Sequence, residues 1–248
     1  MTERVTVVTG AAGDLGGAVA ARMAMRGDRV VLVDASAERL AARAAELGGG
    51  GTTSEVLDVT DESAVAAMVG RVVSRCGRID SLFNNAGVNG GSYPIADHPL
   101  DDVRRTFEVN VFGIFLMMKH VLPVIAKAGQ GWVVNTASEA GLKANERRGV
   151  YAASKAAVIQ LSRAAALEYG RLGVRVNALC PGPLDGALMR RSESAMPNPE
   201  EFRNRIMAGC SLGRYGKPDE IAGFVEYLLT EAPAYLNGAM LLADGCRR

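Results

Sequence analysis

The 248-residue chain carries little net charge, four cysteines, two histidines and only 5% aromatic residues. A formal net charge of +1 removes the electrostatic case for nucleic acid or an acidic membrane surface as partner. Cys76, Cys180, Cys210 and Cys246 show neither metal-ligand spacing nor a paired framework. They read as reduced thiols of a cytoplasmic protein, and no metal is expected. His98 and His120 have no partner pattern and read as structural. No apolar run approaches a membrane span. The opening M-T-E-R-V-T-V-V-T-G already reads as a strand entering a turn, so no signal peptide is expected.

What is abundant is apolar and small. Nearly half the residues are hydrophobic (48%), enough for a sizeable core, and the length suits one large α/β layer structure. Strands are expected over residues 5–9, 29–33, 54–57, 80–83, 131–136, 175–179 and 240–242. Helices are expected over 15–26, 37–47, 61–76, 100–127 with a bend near Pro123, 150–170 and 219–229. Four glycines, Gly48 to Gly51, mark a flexible loop. Continuous β-branched strands alternating with helices argue for a single-domain, doubly wound parallel sheet of about seven strands with helices on both faces, a Rossmann fold. Residues 184–216 do not read as a sheet-layer element. They carry Pro197 and Pro199 and the charge pairs Arg190-Arg191 and Glu200-Glu201. A substrate lid and a surface helical insertion both fit.

T-G-A-A-G-D-L-G spans Thr9 to Gly16 between the first strand and the first helix. Backbone N–H groups there can receive a pyrophosphate, which marks Gly10, Gly13, Asp14, Leu15 and Gly16 as cofactor-binding. Asp34 ends the second strand, where a carboxylate takes the ribose hydroxyls of NAD and repels the 2′-phosphate of NADP. Its bland reading is a helix cap. Asp58, with Val59 beside it, ends the third strand, either at the adenine amino group or as a simple polar terminus. Asn85, Ala86 and Gly87 of N-N-A-G follow the fourth strand. They line the cofactor or lock a turn.

Tyr151 and Lys155 stand four apart in Y-A-A-S-K and share a helix face, with Ser138 thirteen residues earlier. A free tyrosine has a pKa of about 10. A neighbouring lysine cation and an oxidised nicotinamide favour its phenolate. Ser138 can donate to the same substrate oxygen. Asn110 is a lone amide in the apolar stretch E-V-N-V-F-G, either a relay residue or a satisfied core group.

With these markers in register, and with R-V-N-A-L-C-P-G ending at Gly182, the chain resembles the short-chain dehydrogenase/reductase family along essentially its whole length. The resemblance implies Tyr151 as acid/base and Lys155 as the group that lowers its pKa and binds the nicotinamide ribose. It also implies that Ser138 orients the substrate oxygen, that Asn110 holds a relay water, and that Pro181 and Gly182 lie beside the nicotinamide. The implied cofactor is NAD, the substrate a small-molecule secondary alcohol or ketone, and the assembly a homotetramer of dihedral symmetry. The last helix pair fits that assembly: residues 150–170 are apolar on more than one face and suit pairing with residues 112–118 of a second subunit. Sugars, cyclic alcohols, steroids and β-ketoacyl thioesters all stay open as substrates.

Two positions depart from the family pattern. Asp14 stands where glycine is usual, either opposing the pyrophosphate or capping the helix. Gly186 stands where a threonine commonly bonds the nicotinamide carboxamide. A nucleotide-binding protein with weak or no turnover is the alternative these departures raise, and Ser138, Tyr151 and Lys155 argue against it. An epimerase or dehydratase on the extended scaffold would need a larger C-terminal domain. Arg147 and Arg148, between Ser138 and Tyr151, either recognise an anionic group or belong to a solvated loop or subunit contact, and Glu139 and Glu146 are similar.

Overall fold

In the computed structural model, residues 3–48, 51–194 and 196–247 are described, so the middle of the four-glycine loop lies outside them. Seven parallel strands form one sheet in the order β3-β2-β1-β4-β5-β6-β7. They are β1 (Val5–Thr9), β2 (Arg29–Asp34), β3 (Thr52–Val56), β4 (Ser81–Asn84), β5 (Gly131–Thr136), β6 (Val174–Pro181) and β7 (Met240–Ala243). β1 is buried at all five residues, as expected of a strand covered on both faces. The edge strand β3 is polar and only one of its five residues is buried.

Helices cover both faces. Val8, Leu32 and Phe83 pack with Met23 of α1 (Asp14–Met25), Leu40 of α2 (Ala37–Glu46) and Val225 of α9 (Pro218–Thr230). Val7, Val31 and Leu82, pointing the other way, pack with Met68 of α3 (Glu62–Cys76), Met117 of α5 (Ile114–Lys127) and Val158 of α6 (Gly149–Tyr169). Each such fully buried side chain contributes about 1.5–3 kcal/mol. The chain runs outward to β3 and returns to β4 on the other side of β1. That reversal opens a crevice at the carboxyl ends of β1 and β4, where ligands bind in sheets of this kind.

The helix expected over 100–127 is present and carries an irregularity other than Pro123. α4 (Leu100–Phe107) passes through a π-helical turn, Glu108–Gly113, into α5, which runs on through Pro123. The irregularity thus sits around Asn110. The combined helix, Leu100–Lys127, has an 18-residue window of mean hydropathy 1.8, long and apolar enough by length and composition to cross a membrane. This corrects the expectation that no such run exists. Most of that window, 61%, is buried inside the fold, so the apolarity belongs to the core.

Residues 184–216 hold two helices, α7 (Ala187–Ser194) and α8 (Pro199–Ala208). The neck is closed: Asp185 N–H donates to the Gly216 carbonyl at 2.8 Å and Gly216 N–H to the Pro183 carbonyl at 3.0 Å. Glu193 on α7 binds Arg203 of α8 at 2.8 and 3.1 Å and accepts from the Tyr215 hydroxyl at 2.7 Å. The excursion is therefore one tied unit.

Candidate active site

The turn after β1 is shaped by its glycines. Gly10 has φ +64°, and a Cβ there would meet Asn85 Nδ2 and the Ala86 backbone at 3.0–3.1 Å. A Cβ on Gly16 would sit 2.2 Å from the Gly10 carbonyl oxygen, so any larger residue would push α1 off the sheet. Gly13 is the N-cap of α1 and has no side chain to satisfy the helix amides. The N–H groups of Asp14, Leu15 and Gly16 open the helix without intrahelical acceptors. The turn therefore presents bare donors at a positive helix end, which fits a pyrophosphate.

Asp34 is not a cap of α2; Ser36 is. Instead its Oδ2 accepts from Ala12 N–H at 3.1 Å and its Oδ1 from Ser36 N–H at 3.0 Å. These bonds hold the carboxylate beside the glycine turn, with lone pairs to spare for a ribose. Arg39 of α2 reaches back and donates to the Ala12 carbonyl at 2.8 Å. Asp58 accepts from the Thr60 amide and hydroxyl at 2.9 and 2.8 Å and lies 3.4 Å from Arg105. Burial raises its pKa, but the Thr60 bonds and Arg105 outweigh that and hold the carboxyl below its ordinary value. Val59 is buried against Gly113, where a Cβ would come within 2.6 Å of it.

N-N-A-G locks the centre of the sheet. The Thr9 hydroxyl accepts from the amides of Asn85 and Ala86 at 2.8 and 3.0 Å. Asn84 donates to the Ile114 carbonyl at 2.9 Å. Gly87 has a further use: a Cβ there would lie 3.2 Å from Asn110 Oδ1 and 3.5 Å from Lys155 Nζ. Its bare backbone lets those two groups approach one small space.

Asn110 is fully buried and satisfied. Its Oδ1 accepts from Val88 N–H at 2.8 Å, and its Nδ2 donates to the Val88 carbonyl at 2.9 Å and to Ser154 Oγ at 3.1 Å. Ser154, in the middle of Y-A-A-S-K, passes its own proton to the Tyr151 carbonyl at 2.7 Å. The π turn, the loop after β4 and the start of α6 are thereby joined.

Lys155 lies beneath this layer, 3% exposed, and donates to the Thr136 carbonyl at 2.8 Å. Burial lowers its pKa to about 8. Cys180 of β6 faces it, and burial pushes that thiol up to about 11. Burial raises the Tyr151 pKa, and the neighbouring Ser138 side chain and the Arg148 charge oppose that rise. The lysine ammonium lies 5.8 Å from the Tyr151 ring centre, and the Arg148 guanidinium 4.7 Å. The cation closest to the ring is therefore Arg148, which the sequence leaves open as an anion-recognising, loop or subunit-contact residue. Arg147 is exposed, with φ +60°. Glu139 is buried and held by Lys143 at 3.1 Å and by Arg247 from the C-terminal segment; Glu146 is exposed. Pro181 ends β6 in register with Ala243, and a Cβ on the adjacent Gly182 would sit 2.7 Å from the Asp244 Cα.

A family model described as Enoyl-(Acyl carrier protein) reductase matches residues 10–246. The chain belongs to the short-chain dehydrogenase/reductase family. It is 36% identical to levodione reductase of Leifsonia aquatica over 250 residues, covering 98% of this chain and 94% of that protein. The crystal structure of levodione reductase matches with a TM-score of 0.94 over 99% of this chain and 97% of that one. Meso-2,3-butanediol dehydrogenase of Serratia marcescens is 37% identical over 245 residues, 98% of this chain and 93% of that protein. An NAD⁺-bound xylitol dehydrogenase structure, 35% identical, matches with a TM-score of 0.91 over 96% of each chain. Family membership makes this chain an oxidoreductase that works with a nicotinamide cofactor.

The two departures from the family pattern meet in space. Asp14 neither caps its own helix nor stands unpaired. Its Oδ2 accepts a 2.7 Å hydrogen bond from Ala187 N–H, the first amide of α7. A Cβ on Gly186 would lie 2.7 Å from that same oxygen. Asp14 therefore caps a helix of the 184–216 excursion, and Gly186 leaves the room for it. Asn89 makes a second tie, donating to Ser192 Oγ at 2.8 Å and to the Leu188 carbonyl at 3.4 Å. Arg190 pairs with Asp185 at 2.9 Å, and Arg191 is exposed.

Proposed function

We propose that this protein transfers a hydride between NAD(H) and a small secondary alcohol or its ketone, with Tyr151 as the proton-exchanging group. The observation that carries this reading is that Tyr151 stands beside Ser138 with the buried Lys155 ammonium 5.8 Å from its ring centre, in the fold that also holds Asp34 against the glycine turn. When bound, nicotinamide supplies the hydride acceptor for alcohol oxidation and the donor for ketone reduction. Ser138 and Tyr151 hold the substrate oxygen between them. In ketone reduction the Tyr151 hydroxyl, kept protonated by its burial, gives its proton to the oxygen as the carbon gains hydride. In oxidation the phenolate takes the alcohol proton, and the cations Lys155 and Arg148 stabilise it. Lys155, tied to Thr136 and facing Asn110 across Gly87, is placed to hand a proton outward. Because Asn110 has its amide committed to Val88 and Ser154, its part in that relay falls to the spare lone pair of Oδ1.

Asp34 favours NAD over NADP, because a 2′-phosphate would oppose its carboxylate. Residues 184–216 act as the lid of this one domain, held down by Asp14 and Asn89. Because Asp14 and Gly186 are engaged with each other, they compensate as a pair and do not mark a site that has lost turnover. Phe112, Phe115 and Leu167 are 55%, 44% and 85% exposed on the π turn, α5 and α6. Such apolar exposure supports pairing of these helices between subunits of a homotetramer, and a monomer by light scattering at micromolar concentration would reject it. The near-zero net charge and unpaired thiols support a cytoplasmic protein without nucleic-acid or membrane partners. A panel of secondary alcohols and ketones, followed by NADH absorbance with both cofactors, tests the activity. Turnover of none of them would reject it.

A further inference from the structure

We infer that Arg148 is an anion-recognition group, and that the substrate taken by this site carries a carboxylate or similar oxyanion beside its carbinol. This rests on the alcohol–ketone reading above and narrows its substrate class. The guanidinium lies 4.7 Å over the ring of Tyr151, the residue that holds the substrate oxygen in the reading above. It is partly removed from water, since burial lowers its pKa, yet among the described residues it forms no ion pair. Comparable arginines in this fold are matched: Arg22 with Asp219 and Glu226, Arg203 with Glu193, Arg214 with Glu220. A desolvated cation without a counter-ion is costly.

The carboxylate that acts on it, Asp102, is already engaged. Asp102 Oδ2 lies 2.6 Å from His98 Nε2 and accepts from Gly91 N–H at 2.9 Å, and no ion pair joins it to Arg148. Arg148 also sits at the N-cap position of the 21-residue α6, which has no acidic residue in its first turn and no side-chain cap. The free amides and positive end of that helix add to the guanidinium's field rather than offsetting it. The loop backbone fixes the placement, since Tyr93 N–H donates to the Arg147 carbonyl at 3.0 Å. With the carbinol oxygen at Tyr151, an oxyanion about four to six bonds away reaches the guanidinium fork, which suits bidentate binding.

The test uses matched pairs differing only in charge: 3-hydroxybutyrate with 3-hydroxybutyramide, and 4-hydroxycyclohexanecarboxylate with its carboxamide. The quantity read is the ratio of kcat/KM, anion over amide, in wild type, Arg148→Gln and Arg148→Lys, with NADH titration as the check of fold. Wild type should favour the anion by at least ~10-fold, mostly through KM, as expected of a charge-assisted contact. Arg148→Gln should bring the ratio near one, and Arg148→Lys should keep part of it. A wild-type ratio of one or less overturns the inference, as does an unchanged ratio in Arg148→Gln. If Arg148 serves only the Tyr151 charge, both members of each pair fall together and the ratio stays put, which also overturns it. Silence of both pairs counts against the anionic substrate class if neutral alcohols of the wider panel are turned over. If they too are silent, the oxidoreductase reading itself has failed.

Discussion

The Asp14 carboxylate caps the amide of Ala187 at 2.7 Å, and Gly186 is the residue that makes the approach possible. Two departures from a family pattern are thus one contact between the glycine turn and the 184–216 excursion. Asp14→Ala removes the cap and should weaken NADH binding by about three- to tenfold, the scale of one lost helix cap. Gly186→Thr alone should do at least as much harm, because its side chain displaces Asp14. The double variant Asp14→Gly with Gly186→Thr should recover, giving a coupling of at least ~1 kcal/mol in a double-mutant cycle. Additive losses in fluorescence titrations with NADH would show the two positions to be independent.

Lys155 is kept at a cost to stability. Its pKa in the folded chain is about 8, against 10.5 when free. Between those values the unfolded chain binds a proton that the folded chain has released, so this group makes stability rise with pH across that window. Its full cost applies below pH 8. Lys155→Met should therefore raise the melting temperature of the cofactor-free protein at pH 7 by several degrees and abolish turnover, and the gain should shrink toward pH 10. A lower melting temperature at pH 7 would mean that the Thr136 bond outweighs the desolvation.

Cofactor choice turns on Asp34 and Arg39, which share Ala12: one accepts from its amide, the other donates to its carbonyl. With the carboxylate present, NAD should be preferred at least ~10-fold in kcat/KM, the value of one charged hydrogen bond of about 1.5–3 kcal/mol. Asp34→Ala should lower efficiency with NAD and make NADP usable, because Arg39 then faces the 2′-phosphate unopposed. Equal use of both cofactors by the wild type would contradict the assignment.

Most of the framework was legible because it is local. The runs Val5–Thr9 and Arg29–Asp34 are β-branched and continuous, and the glycines of the first turn announce a tight approach. Tyr151 and Lys155 are joined by helix geometry alone. What could not be read is what depends on distant partners. Asp14 and Ala187 lie 173 residues apart, and neither signals the other. The π turn at Asn110 goes with a side chain that reaches into the loop after β4 to bond Val88 on both sides, a partner twenty-two residues away that the helix pattern does not show. Arg148 stayed open between anion recognition and a solvated loop or subunit contact, because an arginine beside Arg147 in a polar loop looks solvated. Only the fold lays it over the Tyr151 ring. Glu139 was misread as a loop residue for the same reason: its partner Arg247 comes from the far end of the chain.

The most direct test follows the hydride itself. An alcohol that turns over is prepared with deuterium on the carbinol carbon and incubated with NAD⁺, and the reduced cofactor is examined by mass spectrometry and NMR. Direct transfer with Tyr151 as proton acceptor predicts one deuterium at nicotinamide C4. It also predicts a ketone product and a rate that falls by at least ~10² in Tyr151→Phe, while NADH affinity stays within about twofold. Reduced cofactor without deuterium, or a Tyr151→Phe variant that turns over at the wild-type rate, would contradict it.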